Sequence, residues 1–235
     1  MECDSSKRNL IIAIGQIMNE INTVTYLKDY KPSPFLIKSV HLKFQLLPKS
    51  TKVTAKILFS PQKTNHDLKL DGLDLELKRV SINGSPLKLE SLKFSPDGLT
   101  VPKERIPPND FCWEAETNIS PVTNTSLDGL YLSSGTYCTQ CEAEGFRKIT
   151  YFLDRPDIMA IYTVRIEGAE PVLLSNGNLI NIGEGFAEWH DPWPKPSYLF
   201  ALVAGNLMSF NDEFKTKSGR VVDLRIYVKP KDIDK

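Results

Sequence analysis

Val40-His41-Leu42-Lys43-Phe44-Gln45-Leu46, then Pro48-Lys49-Ser50, then Lys52-Val53-Thr54-Ala55-Lys56-Ile57-Leu58-Phe59: this stretch decides the fold class. Val40, Leu42, Phe44 and Leu46 alternate with His41, Lys43 and Gln45, and Val53, Ala55, Ile57 and Phe59 alternate with Lys52, Thr54 and Lys56. A period of two sends one set of side chains to a buried face and the other to water, so two strands joined by a turn are predicted. Outward from this hairpin the same period recurs. Val80 and Ile82 precede Asn83-Gly84, a pair that tolerates the two positive φ angles of a type I′ turn, and Leu87 and Leu89 are expected to start the return strand. Phe111, Trp113, Ala115 and Thr117 alternate with Cys112, Glu114 and Glu116, and Tyr162, Val164 and Ile166 alternate with Thr163 and Arg165. Val172-Leu173-Leu174 runs into a turn at Asn176-Gly177, and Val222, Leu224, Ile226 and Val228 add a strand near the end. The continuous apolar run Tyr198 to Val203 reads as a strand covered on both faces. Residues 8–22 are the only helical candidate. The fold class is therefore all-β, an antiparallel β-sandwich over residues 26–207, preceded by an extension, 1–25, that is helical or disordered.

The chain has 235 residues, 41% hydrophobic and 25% charged, enough for one good core. Lys+Arg 29 against Asp+Glu 29 leaves no bulk attraction for nucleic acid or an anionic membrane, and neither is an expected partner. No apolar run approaches the ~20 residues of a spanning helix. Lys7-Arg8 ahead of Leu10–Ile14 has the order of a secretion signal, but Gly15-Gln16 interrupts it and no A-x-A site follows. Four unevenly spread cysteines do not read as a disulfide framework, so a soluble protein of the cytoplasm or an organelle is expected.

Nucleophile-elbow, phosphate-loop and dinucleotide motifs are absent, and the three histidines, His41, His66 and His190, never stand in H-E-x-x-H spacing. His41 and His66 read as solvated residues, and His190 as part of a loop, Glu188–Pro194, ordered by aromatic packing. Cys138-Thr139-Gln140-Cys141 offers half a zinc site or a thiol-exchange pair, without the remaining ligands or the βαβ setting. The densest polar segment runs from Thr139 to Asp157. Within it Arg147 and Arg155 are expected to pair with Asp154 and Asp157, since a planar guanidinium matches a carboxylate. Gln140 and Glu142, two apart and on one face if extended, would present a carbonyl and a carboxylate to a cationic ligand.

Asp128-Gly129-Leu130-Tyr131, Thr139-Gln140-Cys141-Glu142-Ala143-Glu144-Gly145-Phe146-Arg147, Asp154-Arg155-Pro156-Asp157, Leu173–Gly177 and Tyr198–Gly205 stand in this order, and together they resemble the aminopeptidase N family of zinc exopeptidases, in its bacterial and plant branch. The resemblance covers residues 26 to about 228, and TQCEAEGFR is highly specific. It implies a β-sandwich that docks on a thermolysin-like catalytic domain, with residues 208–235 as the opening strands of that next domain, showing an unpaired edge. It implies that Glu142 binds the free α-amine of a peptide N-terminus and that Gln140 lines the first specificity pocket. Ser197 stands where that branch usually has Cys, a change expected to affect packing alone. Zinc belongs to the full-length family enzyme. Its G-A-M-E-N loop, H-E-x-x-H helix and catalytic Tyr lie beyond Lys235, so no catalytic residue, metal ligand or cofactor is expected in this chain, which is predicted inactive by itself. The function expected is substrate recognition within a zinc-dependent aminopeptidase that releases N-terminal amino acids. The alternative is a non-enzymatic protein-interaction module derived from one.

Overall fold

The computed structural model describes residues 26–234, so the helical candidate at 8–22 lies outside the described residues. Residues 26–32 contain one 3-10 turn, Leu27–Asp29. From Ser33 onward the strands in chain order are β1 (Phe35–Gln45), β2 (Thr51–Pro61), β3 (Leu68–Asp71), β4 (Glu76–Ile82), β5 (Ser85–Pro86), β6 (Lys93–Ser95), β7 (Gly98–Val101), β8 (Phe111–Ile119) and β9 (Gly129–Ser133). They continue with β10 (Thr136–Gln140), β11 (Met159–Glu167), β12 (Val172–Ser175), β13 (Asn178–Gly183), β14 (Phe186–Pro196), β15 (Leu202–Gly205), β16 (Met208–Lys215) and β17 (Val221–Val228). Every helical segment among the described residues is a three-residue 3-10 turn.

An eight-stranded sheet, ordered β13-β14-β11-β1-β2-β8-β4-β5, forms one layer. A four-stranded sheet (β12-β15-β10-β9) and a three-stranded sheet (β3-β7-β6) share its hydrophobic core, which unites Val40, Phe44, Ile57, Trp113 and Val164 with Leu70, Leu99, Tyr137 and Leu202. The predicted first hairpin is present in register, with Val40 opposite Ile57, Leu42 opposite Ala55 and Phe44 opposite Val53. A bulge between Ile37 and Ser39 reconciles the buried Phe35 and Ile37 with the buried Val40, which strict alternation would put on opposite faces. Asn83 and Gly84 take φ of 50° and 77°, the type I′ hairpin turn joining β4 and β5.

Several expectations change. β1 and β11 pair in parallel, because the chain passes through the second layer between them, so the sandwich is antiparallel everywhere else but not at its centre. The return strand after Asn83-Gly84 is only Ser85–Pro86, and Leu89 falls in a 3-10 turn. Tyr198 to Val203 is no continuous strand. Ser197–Leu199 is a 3-10 turn with Leu199 exposed, and pairing begins at Leu202. Apolar content alone cannot separate a strand from a turn whose aromatic plugs a core. Here Phe200 does the plugging, stacked on Phe44 with centroids 6.1 Å apart. Among the described residues the hairpin β16–β17 pairs only with itself, and Phe210, Phe214, Leu224 and Ile226 on it are exposed.

The outward face of the large sheet carries cross-strand ion pairs, Lys56–Glu114 at 3.2 Å, Arg79–Glu116 at 3.2 Å and Lys43–Glu167 at 2.9 Å, and along β11 Arg165 pairs with Glu167 at 2.8 Å. At Glu167 partial burial acts against ionisation, yet hydrogen bonds from Arg165, Lys43 and Gln45 prevail and hold its carboxyl at about 2, below the ordinary 4.5. A lowered carboxyl pKa contributes stability that is present above 4.5 and is lost as pH falls through about 2. Glu167→Gln is therefore expected to flatten the stability curve measured by urea unfolding across that acid interval. An unchanged acid slope would refute this.

Candidate recognition turn at the end of the small sheet

β10 runs antiparallel to β9 and β15, and Gln140 is its last residue, paired with Gly129. Thr139, inward of it, is fixed to the backbone of Leu202, whose N–H it accepts at 2.8 Å and whose carbonyl it donates to at 3.3 Å. The strand stops there. Residues 142–145 form a turn closed by the Gly145 N–H donating to the Cys141 carbonyl at 2.8 Å. Glu142 is therefore in a turn and not on the face of an extended strand with Gln140, as the spacing suggested. What brings the two together is a hydrogen bond, Gln140 Nε2 donating to the Glu142 carbonyl at 3.2 Å. Both side chains are exposed, while Cys141 between them is buried.

Gly145 has no room for a side chain. A Cβ there would lie 2.3 Å from the Gln140 carbonyl oxygen and 3.0 Å from the Cys141 Cα. Gly145→Ala is expected to cost about 2 to 3 kcal/mol in urea unfolding, because the obstacles are backbone atoms, including the Gly129 N of the neighbouring strand at 3.0 Å. A cost below ~0.5 kcal/mol would mean that the turn yields freely.

Beyond the turn, Phe146 plugs the core against Phe152, Phe200 and Tyr162, at centroid distances of 4.7, 5.3 and 6.2 Å. Arg147 follows, and both its backbone N–H and its Nε donate to Asp154 Oδ2 at 3.1 Å, while Nη2 reaches the Asp154 carbonyl at 3.2 Å and Glu144 Oε1 at 3.3 Å. Asp154 Oδ1 accepts from the Ser197 hydroxyl at 2.5 Å, and its N–H donates to Asp71 Oδ2 at 3.0 Å. Burial pushes the Asp71 carboxyl up, with the Asp154 N–H and Arg147 opposing it. The expected pairings of the charged segment are thus present: Arg147 with Asp154, and Arg155 bidentate on Asp157 at 2.8 and 2.7 Å. Ser197 is more than packing, since its hydroxyl is a polar partner of a carboxylate buried with it. No sequence pattern links residues 43 positions apart.

The other candidates separate. Burial pushes the Cys138 and Cys141 thiols up, Cys141 most, which disfavours the thiolate that exchange chemistry needs. His190 sits in strand β14, not in a loop, with Nδ1 2.9 Å from Thr163 Oγ1; of the two tryptophans beside it, Trp189 packs against the core and donates to the Leu173 carbonyl at 3.0 Å, while Trp193 is 78% exposed. Among the described residues no three His, Cys, Asp or Glu side chains are grouped to hold a metal ion. A cleft of about 810 Å³ is lined by Lys69, Asp71, Lys103, Glu144, Arg147 and Asp154 among others, and includes neither Gln140 nor Glu142.

Among protein-family models, that of the peptidase M1 N-terminal domain matches residues 29–199. The chain belongs to this family. The M1 N-terminal domain described here is 48% identical over 214 residues to aminopeptidase N of Caulobacter vibrioides, covering 87% of this chain and 24% of that protein. It is 41% identical over 223 residues to aminopeptidase N of Escherichia coli, covering 89% and 25%. The structure of Legionella pneumophila aminopeptidase A in complex with aspartic acid superimposes with a TM-score of 0.81 at 36% identity, over 89% of this chain and 26% of that one. An M1 zinc metallopeptidase of Deinococcus radiodurans, bound to a Tyr-Ser-Ala substrate, shares the fold at a TM-score of 0.69 and 16% identity, over 84% of this chain and 48% of that one. The M1 N-terminal domain spans about a quarter of the length of the curated relatives it matches. No helix among its described residues is long and apolar enough to cross a membrane.

Proposed function

We propose that this M1 N-terminal domain serves a zinc-dependent aminopeptidase by recognising the substrate's free α-amine through Glu142, with Gln140 lining the pocket for the first side chain. The partner in this reading is a thermolysin-like catalytic domain, which supplies the zinc and the hydrolytic groups. The observation that carries it is the mounting of Glu142: an exposed carboxylate on a closed turn whose two ends are fixed by β10 and by the buried Phe146 and Arg147. An exopeptidase must select a terminal ammonium, and with a pKa of ~8 that group is mostly charged at neutral pH. A carboxylate held in place measures this charge with a charge-assisted hydrogen bond, and Gln140, tied to the Glu142 carbonyl, stands beside it.

The test uses a chimera in which residues 33–205 of this chain replace the matching segment of the Caulobacter vibrioides aminopeptidase N. Alanyl-alanine and its des-amino analogue propionyl-alanine are compared as competitive inhibitors. The chimera is expected to prefer the amine by about thirtyfold or more, and Glu142→Gln to reduce that preference to within a few-fold. A preference that survives Glu142→Gln would overturn the assignment.

A further inference from the structure

The turn bearing Glu142 is not held by the small sheet alone. Four separate segments meet beneath it: the turn itself through Glu144 and Arg147, the stretch around Asp154, the end of β3 through Asp71, and the 3-10 turn after β14 through Ser197. Asp154 is the hub. One carboxylate oxygen takes two N–H groups of Arg147, the other takes the Ser197 hydroxyl, and its backbone joins Asp71 and Arg147. Asp154 and Ser197 are 3% and 1% exposed, so these bonds do not exchange freely with water. Such a carboxylate has one low-energy position, because each displacement strands a buried donor.

We infer that Asp154, steered by Ser197, is a positioning residue for substrate-amine recognition: through Arg147 it sets the 141–145 turn and with it the Glu142 carboxylate. The inference rests on the amine reading of Glu142 and adds residues that touch no substrate to it. Geometry supports the transmission. Arg147 joins the turn at two points, by the chain two residues after Gly145 and by its guanidinium to Glu144, and Gly145 is pressed against the Gln140 and Cys141 backbone. A shift of Arg147 is therefore passed to the turn and not absorbed by slack.

Ser197→Ala is the chosen variant, since it removes one hydrogen bond from the hub without leaving a charge unpaired. In this 235-residue chain, amide hydrogen exchange at Gly145 is expected to rise about tenfold, with the amide of Ala55 in the core unchanged. In the chimera the preference for alanyl-alanine over propionyl-alanine is expected to fall about three- to tenfold. The double variant Ser197→Ala, Glu142→Gln should show no less preference than Glu142→Gln alone, because two changes acting through one group do not add. An unchanged Gly145 exchange rate, an unchanged preference, or additive losses would each overturn the inference. If instead Glu142→Gln alone keeps the preference, the amine reading is the part that fails, and the inference loses its object even with Gly145 exchange raised.

Discussion

Asp154→Ala is expected to destabilise the domain by about 3 to 5 kcal/mol, the range for breaking a buried ion pair by removing one partner. Asp154 is 3% exposed, and its side chain takes hydrogen bonds from the Arg147 N–H and Nε and from Ser197. Removing the carboxylate leaves the Arg147 guanidinium with exposed Glu144 as its remaining carboxylate neighbour within the salt-bridge distance, and leaves the Ser197 hydroxyl without its partner in a site 1% exposed. Water cannot readily replace those contacts, so most of the desolvation cost is retained in the variant. The check is urea unfolding of this chain with the slope held common to both proteins. A loss below ~1 kcal/mol would show that the network rearranges around the missing group.

The second large effect is kinetic. In the chimera, Glu142→Gln is expected to lower kcat/KM for a free-amine aminoacyl anilide by roughly 2 to 4 kcal/mol, a factor of about 30 to 1,000, with KM raised. Glutamine keeps the size and hydrogen-bonding reach of the side chain and removes its charge, so the loss reads the ammonium contact itself. Because Glu142 is exposed, the melting temperature should hardly move, as surface changes outside such networks stay within about 0.5 kcal/mol. The pair of variants divides the charged segment by role: Asp154 acts on folding strongly, and Glu142 on turnover alone. A Glu142→Gln protein with normal kinetics and a lowered melting temperature would make Glu142 another brace of the loop.

The parts legible in the sequence were those fixed by local chemistry. Period-two alternation placed Val40, Leu42 and Phe44 on a buried face because a strand's side chains can point only two ways, and Asn83-Gly84 declared its turn by the two positive φ angles it tolerates. The Arg147–Asp154 and Arg155–Asp157 pairs were legible as short-range matches of charge. What long-range packing decides was not legible. Ser197 reaches Asp154 across 43 positions, β1 meets β11 in parallel after a passage through the other layer, and the apolar run at Tyr198 ends as a turn because Phe200 is drawn into the core. The segment Glu188–Pro194 around His190 read as a loop but lies in β14, which carries prolines at 192, 194 and 196. They are tolerated in β14 because its pairing with β13 ends at Asn178 opposite His190, so on that side no ladder N–H is required. The alignment of Gln140 with Glu142 failed as geometry for a similar reason: the spacing presumed a strand, and Gly145 with its bond to Cys141 makes a turn.

The most direct measurement of the central claim is a crystal structure of the chimera with a bound peptide product or inhibitor that carries a free α-amine. The account predicts the ammonium nitrogen at about 2.7 to 3.2 Å from a Glu142 carboxylate oxygen, with the 141–145 turn unmoved from its place over Arg147 and Asp154. An ammonium held by other groups, with the Glu142 carboxylate turned to solvent, would contradict it.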